Sequence, residues 1–99
     1  MNEEEITQQK KRLIRMAQRT LQDTVQALRS FVQRKQWKIE SESTNENRIQ
    51  VYIDDGEHLV PVNCYANGQV QVEGTPNPLK AALEGWCSAW ESGENTSTL

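Results

Sequence analysis

With one histidine, two cysteines and no long apolar run, this 99-residue chain is short of the groups on which most catalytic and metal sites are built. His58 has no second histidine beside which to hold a metal, and Cys64 and Cys87 do not stand at zinc-site spacing. Asp54, Asp55 and Glu57 lack the ligand spacing and length of a calcium loop. Nucleophilic catalysis by a thiol needs a base held against it, and the sole histidine falls in a turn. Gly56, Gly68, Gly74, Gly85 and Gly93 are too scattered to cradle a phosphate. The expectation is a non-catalytic protein with no cofactor and no metal.

No stretch reaches the length of a membrane span. The opening residues MNEEEI have no apolar stretch behind them, so no secretory signal is expected. Two cysteines are too few for a disulfide scaffold of a secreted domain, which points to the cytoplasm and reduced thiols. An apolar fraction of 35% in a chain of this length supports one small core, and such a core gains from association, so a homodimer is compatible with the sequence.

Charge is distributed unevenly. Residues 1–38 hold nine of the eleven Lys and Arg against four acids, a balance of +5, and residues 39–99 hold two against ten, a balance of −8. Such polarity steers a charged partner or favours antiparallel self-association, and it is also what a solvated amphipathic helix shows.

Residues 4–35 contain neither Gly nor Pro, and Ile14, Ala17, Leu21, Val25, Leu28, Phe31 and Val32 recur at steps of three and four. This predicts a long N-terminal amphipathic helix, with Arg12, Arg15, Arg19 and Arg29 on its basic outer face. Alternation then predicts four strands. Trp37, Ile39 and Ser41 face one way in the first, and Ser43 to Asn47 read as a polar turn. Ile49, Val51 and Ile53 face inward in the second, and Asp54-Asp55-Gly56-Glu57 is hairpin chemistry. Val60, Val62 and Cys64 face inward in the third, where Pro61 implies an edge, a bulge or an interruption. Asn67-Gly68 turns into the fourth, with Val70 and Val72 inward. Asn77 is the expected cap and Pro78 the first residue of a C-terminal helix that buries Leu79, Ala82, Leu83, Trp86 and Trp90.

The predicted fold is therefore α+β, in the order α-β-β-β-β-α, with a four-stranded antiparallel meander and both helices on one sheet face. Residues 1–5 are expected to be frayed, 6–91 to form a single domain, and 92–99 to be a disordered tail. The uncovered sheet face would show Lys38, Arg48, Gln50, Tyr52, Asn63, Tyr65, Gln69 and Gln71, with Glu40 and Glu73 at its margins. Tyrosines among amides and a few cations make a stacking platform for unpaired bases. Tyrosine is also simply a good strand former, which any half-covered sheet would use.

Segment 60–74, VPVNCYANGQVQVEG, runs as a strand ending in Tyr65, a turn closed by Gly68, a strand through Val70 and Val72, and Gly74 leading to a helix. It resembles the TATA-box-binding-protein-like module at the N-terminus of ribonuclease HIII, which binds nucleic acid through a curved antiparallel sheet. Four strands followed by a helix are also similar to the single-stranded-binding repeats of the Pur and Whirly type. The resemblance implies that Tyr52, Asn63, Tyr65 and Gln71 lie on a nucleic-acid-binding face. The chain departs from it in an acidic sheet half and in a helix placed before all four strands. Two functional classes follow: a binder of single-stranded nucleic acid through the open sheet, or a protein-interaction module such as an adaptor, inhibitor or assembly factor.

Overall fold

The computed structural model of the chain describes residues 20–99. Helix α1 spans Leu21–Arg34, followed by strands β1 (Lys38–Asn45), β2 (Arg48–Asp54), β3 (Leu59–Tyr65) and β4 (Val70–Val72), then helix α2 (Pro78–Glu91) and a 3-10 turn (Thr96–Thr98). The strands form one antiparallel meander in the order β1-β2-β3-β4. The expected α+β architecture is thus present, and no described helix is long and apolar enough to cross a membrane.

The first helix differs from expectation at its start. An unbroken helix from residue 4 would pass through Thr20, but Thr20 has extended backbone and caps α1. Its hydroxyl accepts from the Asp23 N–H at 3.0 Å, and the Asp23 carboxylate accepts from the Thr20 N–H at 3.1 Å. This reciprocal box satisfies donors that a helix start leaves orphaned. Ile14, Ala17, Arg12, Arg15 and Arg19 lie outside the described residues. From Leu21 onward the predicted stripe holds, with Val25, Leu28, Phe31 and Val32 buried.

Both helices end alike. The Trp37 N–H reaches the Val32 carbonyl at 3.1 Å and the Gln36 N–H reaches Gln33, while the Glu94 N–H reaches Ala89 and the Gly93 N–H reaches Trp90. Each end is a Schellman motif needing a left-handed residue. Gly93 supplies it at the end of α2 (φ 79°), whereas at the end of α1 it falls to Gln36 (φ 61°).

Ile49, Val51 and Ile53 of β2 stand opposite Cys64, Val62 and Val60 of β3, and all six are buried on one face. Leu79, Leu83, Trp86 and Cys87 of α2 join them and the α1 stripe in a single core. A ring series ties the helices together: Phe31 meets Trp37 edge-on at 5.6 Å and lies near-parallel to Trp86 at 6.1 Å, and Trp86 stacks on Trp90 at 5.7 Å. The Trp90 indole N–H donates to the Thr24 hydroxyl at 3.1 Å. The cap expected for α2 is also in place, with the Asn77 side-chain oxygen accepting from the Lys80 N–H at 2.8 Å and Pro78 in the first turn.

Three further expectations are corrected. A bulge between Ile39 and Ser41 re-phases β1, so that Ser41 and Ser43 fall opposite Tyr52 and Gln50, and Glu42 falls opposite Val51 on the helix side. There Glu42 takes a two-point ion pair from Arg29, at 2.6 and 3.2 Å. The strand also runs on through Ser43 to Asn45 rather than turning. Of the alternatives open at Pro61, the structure shows the interruption, on a strand that lies between β2 and β4: its carbonyl accepts from the Glu73 N–H at 2.9 Å, but it has no N–H to return. The β3–β4 ladder stops there, which keeps β4 to three residues. Finally, residues 92–99, expected as a disordered tail, fold back on α1: Thr96 is buried, and the Arg34 guanidinium donates to the Thr96 carbonyl at 2.7 Å and the Leu99 carbonyl at 3.3 Å.

Gln36 holds a conformation that costs an ordinary side chain roughly 1 kcal/mol relative to glycine. Gln36→Gly is expected to stabilise the fold by about that amount, read as a raised urea midpoint at unchanged m-value.

Candidate functional site

The sheet face away from the helices is built by alternation along β2 and β3. Opposite pairs on it are Arg48 with Tyr65, Gln50 with Asn63, Tyr52 with Pro61, and Asp54 with Leu59. β4 adds Gln71 opposite Asn63, and the Tyr65 N–H donates to the Gln69 carbonyl at 2.9 Å, which sets Gln69 across from Tyr65 just before β4. β1 adds Lys38 opposite Asp54, and the bulge brings Ser41 and Ser43 to the same side. Lys38, Arg48, Gln50, Tyr52, Asn63, Tyr65 and Gln71 therefore share one face, with Gln69 at the turn on its margin. Arg29, expected on an outer basic face, is instead paired with Glu42, which raises its pKa further.

The face has two parts. Toward one end, Tyr52, Pro61 and Leu59 form an apolar strip, with Leu59 53% exposed. Toward the other, Gln50, Asn63 and Gln71 line up across three strands, beside Tyr65 and Arg48. Four residues of β3 separate the Pro61–Tyr52 level from Tyr65, about 14 Å at strand rise, so the tyrosines bracket the amide row. Lys38 pairs with Glu40 at 3.3 Å, and Arg48 is not ion-paired among the described residues. Asp54, Pro61, Leu59, Ser41 and Ser43 are the members of this surface that the sequence reading did not place in the site. For the two serines the reason is the bulge, a cross-strand feature with no local signature.

Asn63 stands out on this surface. It is 0% exposed, and among the described residues neither its side-chain oxygen nor its nitrogen has a hydrogen-bond partner. Pro61 and Tyr65 lie two residues either side on its strand, and Gln50 and Gln71 lie directly across. The Tyr65 hydroxyl donates to the Gln71 side-chain oxygen at 3.2 Å. The neighbours thus bind one another and leave the enclosed amide unmet. Buried polar groups are nearly always paired, because an orphan forfeits its hydration.

The remaining chemistry-bearing groups sit elsewhere. Cys64 and Cys87 are free and buried. Burial raises both thiols to about 12, with a smaller contribution from Glu42 at Cys64, and from Cys64, Glu91 and Glu84 at Cys87. Asp55 accepts from the Glu57 and His58 N–H groups at 2.8 and 2.6 Å, which lowers its pKa, and its other oxygen lies 3.3 Å from His58 Nδ1. This is turn architecture. Among the described residues, no three His, Cys, Asp or Glu side chains converge as a metal site. Two hollows lie along α1: one of about 220 Å³ against the folded-back tail, and one of about 310 Å³ between Trp37, Ile39 and the Arg29–Glu42 pair.

The chain matches no protein family, no curated protein and no solved structure.

Two outcomes follow from these environments. Asn63→Leu removes an unmet amide while keeping the branched shape, and is expected to raise stability by about 1–2 kcal/mol in chemical denaturation. The thiols ionise near 9 when unfolded and near 12 when folded. Their contribution to stability is therefore complete below pH 9 and is lost as pH rises from there toward about 12. Thermal unfolding across that window should show the decline, and replacing both cysteines with valine should flatten it.

Proposed function

We propose that this is a small non-catalytic binding protein of the cytoplasm, whose open sheet face takes single-stranded nucleic acid. The observation that carries the reading is the amide row Gln50–Asn63–Gln71 set between Tyr52 and Tyr65 on the sheet face away from α1 and α2, with the central amide unmet among the described residues. Aromatic rings give unpaired bases a stacking surface, and carboxamides offer a donor and an acceptor to base edges. The likeness of segment 60–74 to the sheet module of ribonuclease HIII, and of the strand order to Pur and Whirly repeats, supports the same use of the face. Buried protonated thiols and a histidine engaged in its own turn support a role without catalysis.

The charge on the face limits how such a ligand is held. With Arg48 unpaired and Lys38 shared with Glu40, only one or two phosphates would be neutralised. The expected salt dependence is correspondingly shallow, a slope of about −0.7 to −1.4 in log K against log salt. Stacking would supply most of the affinity, at about 1–3 kcal/mol per base.

Fluorescence anisotropy with labelled single-stranded DNA and RNA tests the proposal. Binding at low salt is expected, with that slope as the face's own share and any excess coming from the basic run 10–19, and Tyr52→Ala should weaken it by at least several-fold. Absence of binding at low salt would instead direct the search to a protein partner for the same face.

A further inference from the structure

We propose that the Asn63 carboxamide is the base-reading group of this face, and that the Tyr65–Gln71 bridge is a lid that covers it until a base arrives. The inference rests on the nucleic-acid reading above and names what, within that face, would tell a base from bare backbone.

The geometry points this way on three counts. Asn63 sits on an interior strand, at the centre of a face that neither α1 nor α2 covers, yet its side chain is fully shielded. Its oxygen and nitrogen are both unmet among the described residues, so the site holds an acceptor and a donor side by side, ready for a partner that offers the complement. Packing does not call for asparagine there, since strand interiors favour valine, isoleucine or threonine and disfavour asparagine.

The cover is of a kind that opens easily. Tyr65 and Gln71 are joined by one neutral hydrogen bond of 3.2 Å at an exposed position, and water can replace it on either partner. Gln71 lies directly across from Asn63, and Tyr65 lies two residues along on the same face. Breaking the bridge therefore clears the space above the Asn63 amide. The same movement frees the Tyr65 ring to stack on the incoming base and releases a second carboxamide. The price of opening is one weak bond, whereas closing over an empty site leaves an amide stranded.

The ligand class follows from the complement. Each standard base carries a ring or exocyclic N–H next to a ring nitrogen or carbonyl acceptor, which a carboxamide can meet with two bonds. The sugar-phosphate chain offers no such neighbouring pair. Asn63 therefore distinguishes strands bearing bases from abasic ones, more than it distinguishes one base from another.

The test compares the protein with its Asn63→Leu, Tyr65→Phe and Tyr52→Ala variants, using labelled oligothymidylate and an abasic strand of equal length. Tyr65→Phe keeps the ring and deletes the lid bond, so it should bind oligothymidylate severalfold more tightly. Asn63→Leu should bind about tenfold more weakly and lose its preference over the abasic strand. In the unsubstituted protein, the Asn63 side-chain NH2 resonances should shift as oligothymidylate is added, a readout that does not depend on any variant folding. Tyr65→Phe binding no tighter, or Asn63 resonances unmoved at saturation, would overturn the inference. If Tyr52→Ala weakens binding while Asn63→Leu does not, the face binds strands but Asn63 does not read them. If the unsubstituted protein binds no strand at low salt, the nucleic-acid reading falls and this inference with it.

Discussion

Six side chains pointing the same way in β2 and β3 constrain everything else in the fold. Ile49, Val51 and Ile53 face Cys64, Val62 and Val60 in strict register, and the alternate positions of both strands are polar, aromatic or proline apart from Leu59 at the start of β3. A slip of one residue would send the whole apolar set to water, so the register is fixed by burial as well as by the intervening turn. With apolar character on one side only, both helices must pack on that side. Closing the edges then falls to local devices. Beside β4, the Glu91 carboxylate accepts from the Val70 N–H at 2.9 Å, and the Lys80 ammonium donates to the Gly74 carbonyl at 2.7 Å. These bonds tie α2 to the margin of a strand that Pro61 has already cut short, and they occupy backbone groups that an open edge would offer to another chain.

Buried polar groups lie on both sides of the sheet. On the helix side, Thr24 is fully buried, and its hydroxyl donates to the Thr20 carbonyl at 3.2 Å while accepting from the Trp90 indole. A polar residue in the core is there matched on both counts. On the open side, Tyr65, Gln71 and Gln50 surround Asn63 without meeting it. The helix side also holds an unmet group, the buried Trp86 indole N–H, so among the described residues Asn63 is one of two buried side chains without a hydrogen-bond partner, and the one on the open face. Departures from local consistency concentrate at functional positions, and this one lies at the centre of the surface that the helices leave bare.

Much of this architecture was legible because its signals are local and periodic. The α1 stripe from Leu21, the alternation in β2 and β3, the Asn67-Gly68 turn and the Asn77-Pro78 helix start are each contained in a few adjacent residues. What escaped depends on distant partners. The start of α1 at Thr20 lies inside a continuous run of helix formers, and its Asp23 partner looks like any first-turn acid. The β1 bulge exists only in relation to β2. Pro61 could be placed on an interior strand only by knowing how short β4 is, and the tail packs only because Arg34 waits on α1 to receive it. For the candidate face, alternation alone grouped the side chains of β2 and β3 that share it. It could not show that Tyr65 and Gln71 bind each other, nor that Asn63 is left enclosed between them.

Charge completes the argument about how such a face would act. Within the described domain most cations are already engaged: Arg29 with Glu42, Arg34 with tail carbonyls, Lys38 with Glu40 and Lys80 with Gly74. Arg48 is what remains beside the amide row, so the sheet itself exerts little long-range pull on an anionic strand. The sequence ahead of Thr20 holds Lys10, Lys11, Arg12, Arg15 and Arg19, a denser positive run than any stretch of the sheet. Under the proposed function, attraction and recognition would then fall to different parts of one chain. Basic residues raise the encounter rate from a distance in a salt-dependent way. Rings and amides on the sheet act only on contact and respond weakly to salt. Such a division explains how an acidic sheet half can belong to a nucleic-acid binder, because the surface that reads bases need not be the surface that draws phosphates.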